Sequence, residues 1–321
     1  VLGETWIETG EAPDWQRLYE KREDFAVGTV PAGGLFLTAG ADVQKDRIEV
    51  SVWAWGRGLT SWLVDHIVID GGPERASAWA ELSALLDRTW PHANGQRLGL
   101  AKLGIDTGYE APAVYAWARQ AGFSQVAPVK GVEGFNRAAP VVGPSYVDVT
   151  TSGRKLRRGA RLWTVAVATF KSETYRFLRL GRPTEDELAE GAQHPTGYVH
   201  LPKGTEAEWV KQLVAEQLVT VRTRRGFQRL EWQKLRERNE VLDCRVYARA
   251  AAWIAGIDRW NEGTWRDLEA QIAVKDGESE SMPEADDPSA EPDSSETPSA
   301  GLLRRERRTR GRRVFTPSYL S

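Results

Sequence analysis

The sequence predicts an α/β domain built on a mixed sheet with helices on its faces. Three observations predict it. Residues 35–69 hold three strand-like runs joined by short turns, the signature of an antiparallel meander. Residues 75–130 then alternate helix, strand, helix, strand, the order that lays strands parallel with helices crossing between them. A hydrophobic fraction of 41% with 14 Trp supplies a sizeable core to the first 270 or so residues.

The elements follow in chain order. Residues 1–34 form a leading segment in which a short helix fits between Pro13 and Asp24, and Pro31-Ala32-Gly33-Gly34 breaks the chain. Residues 35–41 are an apolar run ending at Asp42. Residues 47–55 (RIEVSVWAW) alternate as a strand does, and residues 60–69 make a third. Residues 75–90 place Ala78, Trp79, Leu82, Leu85 and Leu86 on one helical face. A strand over 98–105 ends at Asp106, a helix covers 111–121 with Gly122 as its stop, and a fifth strand covers 124–130. Residues 131–160, rich in Gly, Pro and Arg, read as a long loop. Beyond it come a strand over 162–168, a helix over 170–180, a polar exposed stretch over 181–196 and a helix over 206–216. A basic hairpin over 218–223 and 228–232 and an Ala-rich helix over 239–257 complete the body. The tryptophans fall at core-like spacings and are assigned to packing.

Residues 271–300 carry a net charge of −8 and residues 301–321 carry +6, which leaves the first 270 neutral. The acidic stretch has no aromatic residue and buries too little apolar surface to offset chain entropy, so it is expected to be a disordered linker. A neutral body excludes a global basic field, so any nucleic-acid contact must be a local patch. Cys244 is the sole cysteine, which excludes an internal disulfide and points to a reducing compartment. No apolar run approaches the roughly 20 residues needed to cross a bilayer, so no membrane partner is expected. No GxxxxGK[ST] phosphate loop occurs, so no ATP site is expected. The chain begins at Val1, and a fragment of a longer protein is the expectation.

Three acids stand out. Asp42 ends the first strand, Asp106 ends a later one, and Asp243 lies early in the last helix; all three have apolar neighbours. A carboxylate at the mouth of an apolar strand is costly to desolvate, and three brought together repel one another. A divalent cation relieves both penalties. Oxygen ligands without His or Cys suit Mg²⁺ or Mn²⁺ rather than Zn²⁺. Two such ions about 3.5–4 Å apart would stabilise the attacking and leaving oxygens of a phosphoryl displacement, with Asp42 as the bridging ligand. Taken singly, each acid has a plainer role: Asp106 as a helix cap and Asp243 as a partner of the helix dipole.

The runs TAGADVQKDRIEVSVWAWG, LGIDTGYEAPAVYAWAR and RNEVLDCRVYARAAAWIAG together resemble the nuclease half of the large terminase subunit of lambda-type tailed bacteriophages. Smaller likenesses lie at APVKG (127–131), TFKSETY (169–175), GYVHLP (197–202) and QLVAEQLV (212–219), and VLGETW at the start is similar to the stretch that follows that family's packaging ATPase. The resemblance spans residues 1 to about 258. It implies a ribonuclease H-like fold over residues 35–270, preceded by a linker (1–34) from a missing ATPase domain. It also implies an endonuclease that uses Mg²⁺ or Mn²⁺ to cut concatemeric viral DNA in the host bacterial cytoplasm. Asp42, Asp106 and Asp243 match the family's acids. The implied partners are double-stranded DNA, the small terminase subunit and the portal protein, the last through the basic tail (301–321).

Asp46 and Glu240 are secondary metal-ligand candidates, Glu240 because it shares a helix face with Asp243. Lys171 is a candidate phosphate contact, with a solvated helix lysine as its plainer role. For DNA, Arg154, Lys155, Arg157, Arg158 and Arg161 form one basic cluster and Arg222, Arg224, Arg225 and Arg229 a second, either of which could instead be solubilising surface. Two other readings fit the same acids: a recombinase or junction resolvase on this fold, and a non-catalytic docking module of a packaging motor.

Overall fold

The first strand, β1 (Phe36–Val43), is buried along its whole length, which makes it a central strand rather than an edge. The structure is a computed structural model and describes residues 12–273 apart from residue 152. The start of the leading segment, nearly all of the acidic linker and the basic tail lie outside the described residues. Upstream of β1, Asp14 caps the short helix α1 (Trp15–Glu20) by accepting from Gln16 N.

The meander is as expected. β2 (Arg47–Trp55) pairs antiparallel with β1, and β3 (Ser61–Asp70) pairs antiparallel with β2. Helix α2 (Ala76–Asp87) leads through the short β4 (Thr89–Pro91) to β5 (Arg97–Asp106), which lies parallel to β1. Helix α3 (Ala111–Ala121) then crosses to β6 (Val126–Val132), parallel to β5.

The loop expected over 131–160 is instead a long hairpin, β7 (Val141–Thr151) with β8 (Arg154–Ala166). The end of β8 joins the sheet beside β6, from Val129↔Trp163 to Val132↔Ala166. Its basic half, Arg154 to Arg161, is mostly exposed and has little core to pattern against, so the alternation that marks a strand is missing there. Helix α4 (Val167–Leu178) follows, then α5 (Glu185–Ala189) inside the stretch expected to be merely polar. After the two-residue β9 (Val199–His200) come α6 (Ala207–Leu213) and a separate hairpin, β10 (Glu216–Arg222) with β11 (Gln228–Lys234). Helices α7 (Glu240–Ala255) and α8 (Glu262–Ile272) close the described chain.

The main sheet runs β7-β8-β6-β5-β1-β2-β3-β9, with β4 attached to β5. Its centre is the expected mixed arrangement, an antiparallel meander beside parallel strands. Helix α7 lies on one face of β1, β2 and β5. Leu37, Ala39 and Ala41 point to the other face and are equally buried, while α2 packs against β3 and β5 and α3 against β6 and β8. Within this core Trp53 and Trp55 hold the guanidinium of Arg245 at 4.0 and 4.6 Å from their ring centres, so these tryptophans are packing residues as expected.

Two glycines decide how α7 sits. Gly40 of β1 and Gly104 of β5 are register partners. A Cβ on Gly40 would lie 1.9 Å from the Cys244 carbonyl oxygen, and one on Gly104 would lie 2.7 Å from that of Tyr247. The helix backbone therefore rests directly on the sheet at that level. Thr38 adds a hydrogen bond from its Oγ1 to the Ala248 carbonyl at 2.7 Å.

Candidate active site

β1 and β5 are parallel neighbours whose register runs through Ala41↔Ile105, so the next residues, Asp42 (one before the end of β1) and Asp106 (the last of β5), lie at the same edge. Such an edge is where open α/β sheets place ligands. The close seat of α7 brings its first turn, with Asp243, to that edge. The three carboxylates act on one another: for Asp42, burial is the largest upward push on the pKa, and the charges of Asp243 and Asp106 follow. Asp42 is held well above the ordinary carboxylate range and is only 5% exposed.

Asp106 is raised chiefly by burial, against hydrogen bonds from the backbone of Gly108 and Thr107 and from the Tyr247 hydroxyl. Burial also lifts Asp243, to about 6; Lys171 and Lys234 pull it down, while Glu216 and Asp106 push it up. Asn239 Nδ2 donates to Asp243 at 2.9 Å, and Gln44 Nε2 donates to Asp42 at 2.7 Å.

Asp106 and Asp243 line an open cleft of about 340 Å³ together with Lys130, Glu133, Lys171, Glu216, Lys234 and Tyr247. Asp42 is buried and does not line it. Carboxylate oxygens of the three aspartates do not all fall within 4.8 Å of one another, so they do not form a closed cage for one ion. The donor chemistry nevertheless suits hard divalent cations: oxygen ligands, desolvated, mutually repelling and open on one side to a cleft.

The other candidates separate cleanly. Lys171 is not the solvated helix lysine that its surroundings in sequence suggest. It is buried, donates to both oxygens of Glu216 at 2.8 and 2.9 Å, and stands 3.7 Å from Asp243. Burial pushes Lys171 down, but Asp243 and Glu216 more than reverse this, so it stays protonated. Sequence reasoning missed Glu216. It closes an apolar helix-like stretch, and only the buried cation opposite it marks it as part of the cleft.

Asp46 and Glu240 do not line the cleft, although the charge of Glu240 reaches Asp42. Asp46 is exposed and pairs with Arg47 at 3.0 Å. Glu240 accepts from Arg47 at 2.6 Å and from Arg238 at 3.4 Å. Both belong to a neighbouring ion network around the buried Glu49, which burial alone would raise but which hydrogen bonds from His66 and Arg47 bring down to about 2.

The basic clusters lie on the two hairpins. Arg154, Lys155, Arg157, Arg158 and Arg161 are exposed along β8, with Lys155 paired to Asp148 at 3.1 Å. Arg222, Arg224, Arg225 and Arg229 are exposed around the β10–β11 tip, Arg229 bonded to Glu231. That second hairpin begins at Glu216 and ends at Lys234, both in the cleft lining, so it springs directly from the site.

Comparison with known proteins decides the lineage. Residues 1–265 match the family model described as the terminase large subunit gpA, endonuclease domain. The chain belongs to this family. Two members of known source are similar to it: the terminase large subunit of Enterobacteria phage P21 is 34% identical over 262 residues, and that of Escherichia phage lambda 34% over 275. These alignments cover 81% and 85% of this chain but 38% and 40% of the relatives, so the chain spans about two-fifths of their length. Among solved structures, the large terminase nuclease of thermophilic phage G20c aligns with a TM-score of 0.37 at 13% identity, covering 67% of this chain and 81% of that one. The nuclease domain of the bacteriophage SPP1 large terminase, solved with bound Mn, aligns with a TM-score of 0.32 at 11% identity over 76% and 94%. Family membership makes this a terminase endonuclease domain, and no described helix is long and apolar enough to cross a membrane.

Proposed function

We propose that this domain is a Mg²⁺- or Mn²⁺-dependent endonuclease that cuts concatemeric double-stranded viral DNA during genome packaging. Asp42, Asp106 and Asp243 are its metal ligands. The observation that carries the reading is the meeting of three desolvated, mutually repelling carboxylates from β1, β5 and α7 at one sheet edge beside an open cleft. The bound cations would supply Lewis acidity to the scissile phosphate and a nucleophilic water at neutral pH.

The chain's own residues do the rest. Lys171, fixed by Glu216, holds positive charge beside Asp243 and sets that carboxylate's position. Tyr247 and the Gly108 amide fix Asp106. Lys130 and Lys234 offer the cleft two more cations for the DNA backbone. The exposed arginines of the two hairpins extend the phosphate-binding path without reading sequence. In the whole protein, this activity would work with an upstream translocase ATPase, the small terminase subunit and the portal, in the host bacterial cytoplasm.

The test is plasmid cleavage by the purified chain with Mn²⁺. Wild-type protein should nick and linearise the plasmid, while Asp42→Asn with Asp243→Asn should leave it intact. Equal rates for the two proteins would end the proposal, and strand joining by the wild type would move it to the recombinase class.

A further inference from the structure

Far from the aspartates, three donors from three separate segments meet. Glu23 lies in the stretch before β1, His194 in the turn-rich stretch after α5, and His200 in β9. One carboxylate oxygen and one ring nitrogen from each histidine all lie within 4.8 Å of one another. Among the described residues no other group of three or more His, Cys, Asp or Glu meets that condition.

The place is distinct from the nuclease cleft. β9 pairs with the start of β3, Ser61↔Val199, a level that corresponds across the sheet to Trp55 and Phe36. Asp42 is six residues further along β1, about 20 Å at roughly 3.3 Å per residue, and β9 is three strands to the side of β1.

The donors are held by contacts that owe nothing to a ligand. The Glu23 backbone is bonded to Leu201 O and Lys203 N, both at 2.8 Å. The His200 ring stacks on Trp62 with centroids 4.7 Å apart and planes 7° off parallel. His194 stands edge-on to His200 at 4.5 Å, and Tyr198 packs against both rings at 4.7 Å. The adjacent cation, Lys21, is turned to the carbonyls of Leu178 and Leu180.

A second observation points to a ligand. His200 is 4% exposed and its Nδ1 meets the Glu23 carboxylate at 2.8 Å, yet its Nε2 is buried with no hydrogen-bond partner among the described residues. His194 Nε2 is buried and unpartnered in the same way. A neutral imidazole carries one N–H and one lone pair, so this small volume holds unsatisfied nitrogen that water does not reach.

We propose that Glu23, His194 and His200 bind a zinc-type divalent cation that staples the segment before β1 and the stretch after α5 to the β9 edge of the sheet. Two imidazoles and one carboxylate are a recognised zinc donor set, leaving a fourth position for water. The two sites would thus sort cations by donor: oxygen ligands at the aspartates for Mg²⁺ or Mn²⁺, nitrogen ligands here for zinc.

The experiment is metal binding by the tag-free 321-residue chain, carrying Asp42→Asn and Asp243→Asn to silence the aspartate cleft. Stripped protein is titrated with Zn²⁺ and, separately, with Co²⁺, whose visible absorption reports nitrogen ligation in a four-coordinate site. One equivalent of Zn²⁺ should remain after gel filtration, and the melting temperature should rise by several degrees. His194→Ala, which leaves the Glu23–His200 contact in place, should lose the equivalent and the rise while melting normally in EDTA. If His194→Ala does not fold, His194→Cys must retain the zinc and shift the Co²⁺ bands toward those of thiolate ligation. Zinc uptake below a tenth of an equivalent by the parent, or undiminished uptake by a folded His194→Ala, overturns the proposal. Neither result bears on plasmid cleavage by the wild-type aspartate site.

Discussion

Replacing Asp243 by Asn should make the metal-free domain more stable while abolishing cleavage. Ionising Asp243 inside the fold is uphill, because burial, Glu216 and Asp106 together outweigh Lys171 and Lys234 and lift its pKa from 3.8 to about 6. That displacement corresponds to about 3 kcal/mol. The side chain keeps 23% of its surface in contact with water, which trims the figure to about 1–2 kcal/mol. The sign follows from linkage: the folded state holds the proton more tightly than the unfolded chain. The group's contribution to stability is therefore complete below pH 3.8 and is lost as pH rises through about 6. Asn mimics the protonated acid and still accepts from Asn239. At pH 7.5 in EDTA, Asp243→Asn should melt roughly 2–8 °C above the wild type, at about 2–4 °C per kcal/mol for a domain of this size. At pH 4.5 about two-thirds of that gap should have closed. Saturating Mn²⁺ should raise the wild-type midpoint and leave the variant nearly unmoved, since ligand binding stabilises only a fold that binds it. Differential scanning calorimetry at the two pH values reads all of this. A variant that is folded but melts at or below the wild type at pH 7.5 in EDTA refutes the reasoning.

Lys171→Met strands Glu216 and Asp243 without their shared cation, and should lower stability by about 3 kcal/mol in urea unfolding at pH 7.5; a loss under about 1 kcal/mol would show that the buried pair is not coupled as its geometry implies. Arg224→Ala with Arg225→Ala should weaken binding to duplex DNA and flatten its dependence on salt by up to about two in log–log slope; an unchanged slope across a salt titration would make that hairpin tip ordinary surface. Gly40→Ala puts a methyl carbon 1.9 Å from the Cys244 carbonyl oxygen. It should cost about 3 kcal/mol or more, as overpacking does when backbone must yield; near-neutral behaviour by circular dichroism melting would mean that α7 can lift without consequence.

The sheet and the acids were legible because each left a local mark. An apolar run stopping at Asp42 and another stopping at Asp106 say that a strand ends on a carboxylate, and the structure puts both at one edge. Asp243 was legible from its apolar neighbours within a long helix. Residues 141–160 were not legible as strands, whereas the end of β8 was. Their outer half faces solvent, so Arg154, Lys155, Arg157 and Arg158 satisfy no alternation, and pairing comes from the partner strand rather than from a core. Lys171 and Glu216 were illegible for another reason. Each is ordinary in its own segment, and the pair exists only because α4 and β10 meet 45 residues apart in sequence. Asp46 and Glu240 show the converse: proximity in sequence to Asp42 and Asp243 did not bring them into the cleft lining, and Arg47 pairs with both.

The site divides its work between rigid and peripheral parts of the fold. The three aspartates stand on β1, β5 and α7, where Gly40 and Gly104 let helix backbone touch sheet and where the strands are buried on both faces. Carboxylates that repel one another can be held together only by elements that lose more by separating than the charges gain. A flexible support would relax and dissipate the repulsion that, in the proposed function, a cation would answer. The cations that would meet DNA occupy the opposite situation, on two hairpins that rise out of the core and carry exposed arginines. Phosphate contacts tolerate variation in reach, since they are long-range and screened, whereas ligation of a hard divalent ion does not. A fold that placed the acids on the hairpins and the arginines on the sheet would meet neither requirement, which is the physical sense of the arrangement found here.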